Sequence, residues 1–350
     1  LDYSGSCPAL LLEPQRTNFI KQSEYFNSSE WTINSSTIVD NDSISPQGVR
    51  NAARWTSNAS GTHIQDSVYV DDPSNFSVFL KYVDYPYIQL YSGASGNFYA
   101  NFDIENNIIG NSGSFTSNEK IESYGDGWYR ISCNFSGVAA GSSVRIGFVN
   151  SLTSSWGDLN TSGGGEVLIF GAQMETGSYP TSYIPTYGSS VTRSGDSCTA
   201  TSVSNLIGQT QGTLFVEADL TDISDSSTTR GIAELNDGGT FNRISLFRNS
   251  NGTIRLFVRV GGIAQMDETF ATPPNGNTKI GIGYASNDIV LYVNGTQVAS
   301  DTSATIPACS DFDLGVIEGN LTKTLGNGVK QTALFKTRLT NAELAALTTI

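Results

Sequence analysis

From Phe76 to Met174 the chain is written in short apolar or alternating runs cut by turn residues. They are FSVFLKYV (Phe76 to Val83), YIQLYSG (Tyr87 to Gly93), FYANFDI (Phe98 to Ile104), WYRISCNF (Trp128 to Phe135), SVRIGFV (Ser143 to Val149) and EVLIFGAQM (Glu166 to Met174). Alternation with period two puts successive side chains on opposite faces of a strand. Six such runs constrain the region to antiparallel sheets packed face to face, a sandwich of the jelly-roll kind. Composition extends the expectation to the whole chain: of 350 residues only 15% are charged, 38% are hydrophobic, and 36 are Gly. That balance, rich in turn formers, predicts an all-β fold, and the length suffices for two sandwiches in series.

A second series begins at TLFVEADLTD (Thr213 to Asp222) and continues through RGIAELND and NRISLFRNSNGTIRLFVRV (Asn242 to Val260) to KIGIGYASNDIVLYVNGTQVAS. The pairs Asn251-Gly252 and Asn294-Gly295 are hairpin signals, because both residue types tolerate the left-handed backbone that tight turns need. Between the two series lies YPTSYIPTYGSSVTRSGD, where two prolines, Pro180 and Pro185, and several Gly and Ser residues forbid regular structure while tyrosines and Ile184 can pack along a surface. The expected boundaries are a lead-in segment over 1–17, a first sandwich over 18–178, a linker strap over 179–196 and a second sandwich over 197–350. One helix is predicted, NAELAALT, with Thr340 as N-cap and Glu343 completing a capping box.

The net charge of -14 repels a phosphate backbone, so nucleic acid is excluded as a partner. No run of 18 apolar residues occurs, which excludes membrane insertion by a helix. The chain opens on Leu1 rather than Met, the expected mark of a fragment or processed product. Cys7, Cys133, Cys198 and Cys309 form no CxxC pair, so zinc and thioredoxin-like chemistry fail on spacing; buried thiols are the favoured reading, with a Cys198 to Cys309 bridge as the alternative.

LYVNGTQV followed by ALFKTRLTNAELAAL resembles the close of a concanavalin A-like lectin/glucanase sandwich of the laminin-G type, and the likeness covers about Cys198 to Ile350. GDGWYRISCNF and IFGAQMETGSYPTSYIPT resemble a carbohydrate-binding-module jelly roll. The ordered set LLLEPQRTN, GWYRIS, GAQMETGSYPTSYIPT and VTRSGD is similar to that of tailed-bacteriophage structural and adhesion proteins, and spans most of residues 1–196. This resemblance implies a non-enzymatic virion component (tail fibre, head fibre or capsid decoration), assembled in the host cytoplasm and displayed on the particle. Its implied partners are other virion proteins, host-surface glycans and further copies of itself, a trimer among the options. No cofactor is expected beyond a structural calcium of the kind such sandwiches hold.

Sugar binding needs exposed aromatic faces. The candidates are Trp156, in a long polar loop, with Tyr85, Tyr87, Trp31 and Trp55; burial is the favoured reading for Trp31, Trp55 and the strand residue Trp128. In VEADLTD, Glu217, Asp219 and Asp222 resemble the acid string of laminarinase-type glycosidases, the first two sharing one strand face. The favoured alternative is the solvent-facing side of an edge strand. His63 is the one histidine and has no nucleophile motif near it. Asp71, Asp72, Asp311 and Asp313 offer oxygen ligands for calcium, against a reading as solvated surface acids. LLLEPQRTN itself, with Pro14 between Glu13 and Arg16, is expected to lead the chain into the first sandwich.

Overall fold

The computed structural model describes residues 9–68, 74–93, 96–138, 142–221, 229–270, 276–320 and 323–350. Within them the chain is all-β, with strands numbered β1 to β26 in chain order and one helix, α1 (Asn341–Thr348). It divides into two compact units, residues 16–193 and residues 1–15 with 194–350.

The unit of residues 16–193 holds two six-stranded sheets. One runs β10 (Ile108–Ser112), β9 (Tyr99–Asp103), β8 (Tyr87–Ser92), β13 (Val144–Phe148), β6 (His63–Asp66), β3 (Trp31–Asn34). The other runs β11 (Thr116–Ser123), β12 (Trp128–Phe135), β7 (Ser74–Tyr82), β14 (Glu166–Thr176), β5 (Arg50–Ser57), β4 (Ser36–Ile44). Neighbours pair antiparallel, and alternate residues of both sheets, such as Ile64, Leu90 and Ile146 on one and Val78, Leu80 and Ile131 on the other, form a single buried core. This is a sandwich, as the alternation predicts.

The other unit is built alike. One sheet runs β1 (Leu10–Leu11), β26 (Gly328–Phe335), β17 (Gln211–Asp219), β22 (Asn277–Ala285), β23 (Asp288–Val293), β24 (Thr296–Asp301). Its partner runs β16 (Cys198–Ala200), β25 (Asp311–Leu314), β18 (Arg230–Asn236), β19 (Arg243–Arg248), β20 (Ile254–Val260), β21 (Ile263–Phe270). Leu214, Val216, Ile280 and Ile282 meet Leu235, Ile244, Leu246 and Leu256 in its core. Asn294 (φ 47°) and Gly295 (φ 82°) close the β23–β24 hairpin as a two-residue turn. Asn251-Gly252 sits instead in a longer loop: Asn251 Oδ1 accepts from the amide (3.2 Å) and hydroxyl (2.6 Å) of Thr253. Thr340 caps α1 with the full capping box, and Leu344 docks on Val290 and Tyr292.

The division between units differs from the expected boundaries at both ends of the first sandwich. Leu10 and Leu11 pair with Val329 and Gly328, and Leu12 is 2% exposed in the core of the second sandwich, so the leucine half of LLLEPQRTN belongs there. The polar half belongs to the first sandwich, where β2 (Arg16–Asn18) pairs with β15 (Val191–Arg193). Pro14 separates the two, as a residue that continues no strand ladder. The first sandwich is therefore an insertion in the sequence of the second, and residues 179–193, expected as a linker, are part of the first.

A network of buried hydrogen bonds explains why this strap adheres. Asn18 donates to the carbonyls of Ala172 (3.2 Å) and Ile184 (2.9 Å) and accepts from the amides of Ile20 and Met174 (both 3.1 Å). Arg130, 2% exposed, donates to Thr181 O at 2.6 Å and Ser77 Oγ at 3.0 Å. Glu175 accepts from the amide (2.9 Å) and hydroxyl (2.5 Å) of Thr181, and Gln173 Oε1 from the amide of Ile184 at 2.7 Å. Ahead of β15 the strap forms no strand, so many of its backbone groups are satisfied by these side chains.

Candidate functional site

None of the five aromatic candidates forms an open platform. Trp31 (4% exposed) donates its indole N–H to Gln22 O at 2.7 Å, and Trp55 (0%) sits edge-on to Phe148 in the core. Tyr85 is half-buried, stacked on that same Phe148 with its hydroxyl donating to Val149 O at 2.9 Å; Tyr87 is half-buried in β8. Trp156 is half-buried too: its loop does find a partner, since the ring meets Tyr91 edge-on and its N–H donates to Ser92 O at 2.8 Å. Trp128 is core, with its N–H on Ile44 O.

Glu217 and Asp219 share the outward face of β17, but β17 lies inside its sheet, between β26 and β22, and is no edge strand. Glu217 accepts from Asn277 Nδ2 at 2.7 Å, and Asp219 closes a turn on Thr221. Asp222, Asp71, Asp72 and Cys7 lie outside the described residues. Cys133, Cys198 and Cys309 are free thiols, so no Cys198 to Cys309 bridge forms; burial pushes Cys309 up to about 12. His63 lies between Gly61 O (2.9 Å) and Asn34 Nδ2 (3.1 Å), its pKa lowered by burial.

The charged residues converge elsewhere, on the outer face of the sheet β16-β25-β18-β19-β20. Inward positions of these strands are apolar, so alternation turns Thr199, Asp311, Asp313, Glu234, Asn236, Arg243 and Ser245 outward. Register then places Thr199 opposite Asp313, Asp313 opposite Glu234, and Glu234 opposite Ser245 in one row across four strands. Thr199, Asp313 and Glu234 of this row line a cleft of ≈ 290 Å³ with Asn236 and Asp311, and its other walls are the Gly238-Gly239-Thr240 turn and the loop residues Glu318 and Gly319.

Its polar atoms are held by one another. Asp313 accepts from Thr199 Oγ1 at 2.6 Å and Asn236 Nδ2 at 2.7 Å. Glu234, 1% exposed, accepts from Ser245 Oγ at 2.5 Å and the amide of Glu318 at 3.2 Å, with Arg243 at 3.7 Å. Burial raises the pKa of Glu234 against the pull of these donors. Glu318 adopts φ 57°, a backbone conformation that costs a non-glycine residue about 1–3 kcal/mol. Its carboxylate bridges Arg243 (2.8 Å) and Lys323 (2.7 Å), which ties the loop over the sheet.

Immediately after the lining residue Thr240, Phe241 is 63% exposed, with the Arg259 guanidinium 5.6 Å from its ring centre. An exposed ring following directly on a wall of oriented acceptors offers the two kinds of contact, apolar face and hydrogen bond, that a sugar ring and its hydroxyls use. All four carboxylate oxygens of Glu234 and Asp313 already accept a bond from this chain, an arrangement suited to rigid recognition rather than proton transfer. Asp311 and Asp313, weighed as calcium ligands, are thus both in the cleft, yet among the described residues no three acidic, Cys or His side chains are grouped to hold a metal. Glu234, Asn236 and Phe241 were not singled out in the sequence. The alternation in RGIAELND puts Glu234 and Asn236 on the polar side of a strand, but nothing local to that strand names Asp313 as their partner.

No family model and no curated protein matches the chain. Among solved structures it is similar to the Ruminococcus gnavus IT-sialidase CBM40 bound to α2,3-sialyllactose, at 16% identity over 40% of this chain and 84% of that one, with a TM-score of 0.35. It is also similar to the leech intramolecular trans-sialidase (16%, 41% of this chain and 24% of that one, TM-score 0.35). A heptameric SAP-like pentraxin from Limulus polyphemus matches at 14%, over 39% of this chain and 68% of that one, TM-score 0.30. Likenesses this distant carry no argument about ligand or activity, and the fold rests on the strand pairing itself.

Proposed function

We propose that this chain is a non-enzymatic glycan-binding protein that holds sugar in the carboxylate-lined cleft of its second sandwich. The observation that carries the reading is the cleft itself, walled by the fixed acceptors of Asp311, Asp313 and Glu234, with the exposed Phe241 next in the chain to its lining residue Thr240. On the wording shared with tailed-phage appendage proteins, its setting is the surface of a virion, assembled in the host cytoplasm, where several copies raise weak single contacts to useful avidity. A structural calcium belongs to the same resemblance. The experiment is a glycan array probed with the full chain, with bound glycans then incubated and examined for new reducing ends. Binding without cleavage is expected. Silence on the array would favour a purely architectural spacer that contacts only other virion proteins.

One observation favours a second reading, hydrolysis. Glu234 has the raised pKa of a general acid, and Asp313 stands directly opposite it on the next strand. Reducing ends that appear with the wild type and vanish with Glu234→Gln would establish a glycosidase in place of a binding protein.

A further inference from the structure

The first sandwich has a cleft of its own, of ≈ 450 Å³, within the size range of small-ligand sites, about 300–1,000 Å³. Three segments build it: the β4–β5 turn (Ile44, Ser45, Pro46, Gly48), Lys81 near the end of β7, and the β11–β12 turn of Tyr124, Gly125 and Asp126. Trp128, 2% exposed, lies against it with its N–H fixed on Ile44 O at 3.2 Å.

Two properties distinguish this cleft from a surface irregularity. The first is a rigid aromatic wall. Tyr124 is 48% exposed and meets Phe79 edge-on at 4.8 Å and 86°; Phe79 in turn meets the strap residue Tyr183 edge-on at 5.9 Å. The row of rings that fastens the strap to the outer sheet face therefore continues into Tyr124, which presents a ring to solvent without the mobility of a lone surface side chain. The turn beyond it is held left-handed over three residues, Gly125 (φ 80°), Asp126 (φ 49°) and Gly127 (φ 76°), and is closed by Trp128 N–H on Gly125 O at 2.9 Å. Asp126 is the one residue of the three whose side chain pays a conformational cost there.

The second property is unused hydrogen-bonding capacity. Among the described residues the Lys81 ammonium, the Asp126 carboxylate and the Tyr124 hydroxyl have no hydrogen-bond or ion-pair partner, whereas each carboxylate oxygen of Glu234 and Asp313 in the second-sandwich cleft already accepts one bond from the chain. A donor and an acceptor of opposite charge beside one ring give no net attraction for an anion or a cation. They do suit vicinal hydroxyls, each of which can accept from Lys81 while donating to Asp126.

We propose that this cleft is a second carbohydrate subsite, independent of the first, that takes a neutral pyranose stacked on Tyr124 and read by Lys81 and Asp126. It makes each chain bivalent and does not require the second-sandwich cleft to bind sugar. The test is saturation-transfer NMR on the full chain with the methyl glycosides of glucose, galactose and mannose as probes. Four proteins are compared: wild type, Phe241→Ala, Tyr124→Ala and Asp126→Asn, the last of which keeps a residue type that tolerates the left-handed turn. At least one glycoside receives saturation from wild type and from Phe241→Ala, strongest at the C–H protons of one ring face, and loses at least about five-fold of it with Tyr124→Ala and with Asp126→Asn. Transfer that is absent for all three sugars, or that survives both first-sandwich substitutions unchanged, overturns the subsite. Loss with Phe241→Ala alone would leave the second-sandwich reading standing while removing this one.

Discussion

Asp66 and Asn18 show opposite ways of burying a polar side chain. Asp66 is 5% exposed at the end of β6, its buried Oδ2 has no partner among the described residues, and burial raises its pKa to about 6, with Glu30 adding to the shift. The folded state thus binds a proton more tightly than the unfolded chain, whose carboxyl titrates near 3.8. Below pH 3.8 the group costs nothing; stability is lost as pH rises from there to about 6, by up to roughly 3 kcal/mol, and stays lost above. Asp66→Asn is therefore expected to raise the melting temperature at pH 7, with the gain shrinking to nothing by about pH 4. Asn18 instead has both amide groups fully engaged by four backbone partners. Asn18→Ala leaves two buried amides and two buried carbonyls short of a bond, and is expected to lower unfolding free energy in urea by about 3 kcal/mol or more.

The elements were legible wherever pattern alone decides them. The run Trp128–Phe135 is a strand to the residue, the run Glu166–Met174 is a strand that continues to Thr176, and the capping box of α1 forms as its sequence indicates. Thr340→Ala should cost about 1 kcal/mol in thermal or chemical unfolding, since it removes the acceptor for the Glu343 amide. β10 and β11 escaped notice because IIGNS and TSNEKIES are largely exposed edge strands with no apolar face to announce them. The cleft of the second sandwich was illegible for another reason. Glu234 meets Asp313 through the β18–β25 pairing, a contact between residues far apart in sequence that no local spacing encodes. Likewise Trp156 reads as exposed in its own loop, and only the fold supplies Tyr91 and Ser92 to cover it.

At the scale of the molecule, the insertion of one sandwich into the sequence of the other makes the two halves unequal as fragments. Residues 16–193 begin and end on paired strands, Arg16 opposite Arg193, and are expected to fold alone with a single cooperative melting transition. Residues 194–350 alone lack β1 and the buried Leu12, whose side chain lies where Gly315 has no Cβ. That fragment should melt well below the full chain, and residues 9–15 joined to it through a short linker should recover most of the difference. The glycan reading is likewise a statement about the whole chain, since avidity depends on each copy offering a working cleft. It is tested most directly by calorimetric titration of the full chain with a glycan selected on the array, beside Phe241→Ala. The reading predicts saturable binding that weakens about tenfold in the variant, equivalent to roughly 1.4 kcal/mol, with the melting temperature unchanged. Equal affinity in the two proteins would contradict a sugar that reaches from that cleft to Phe241.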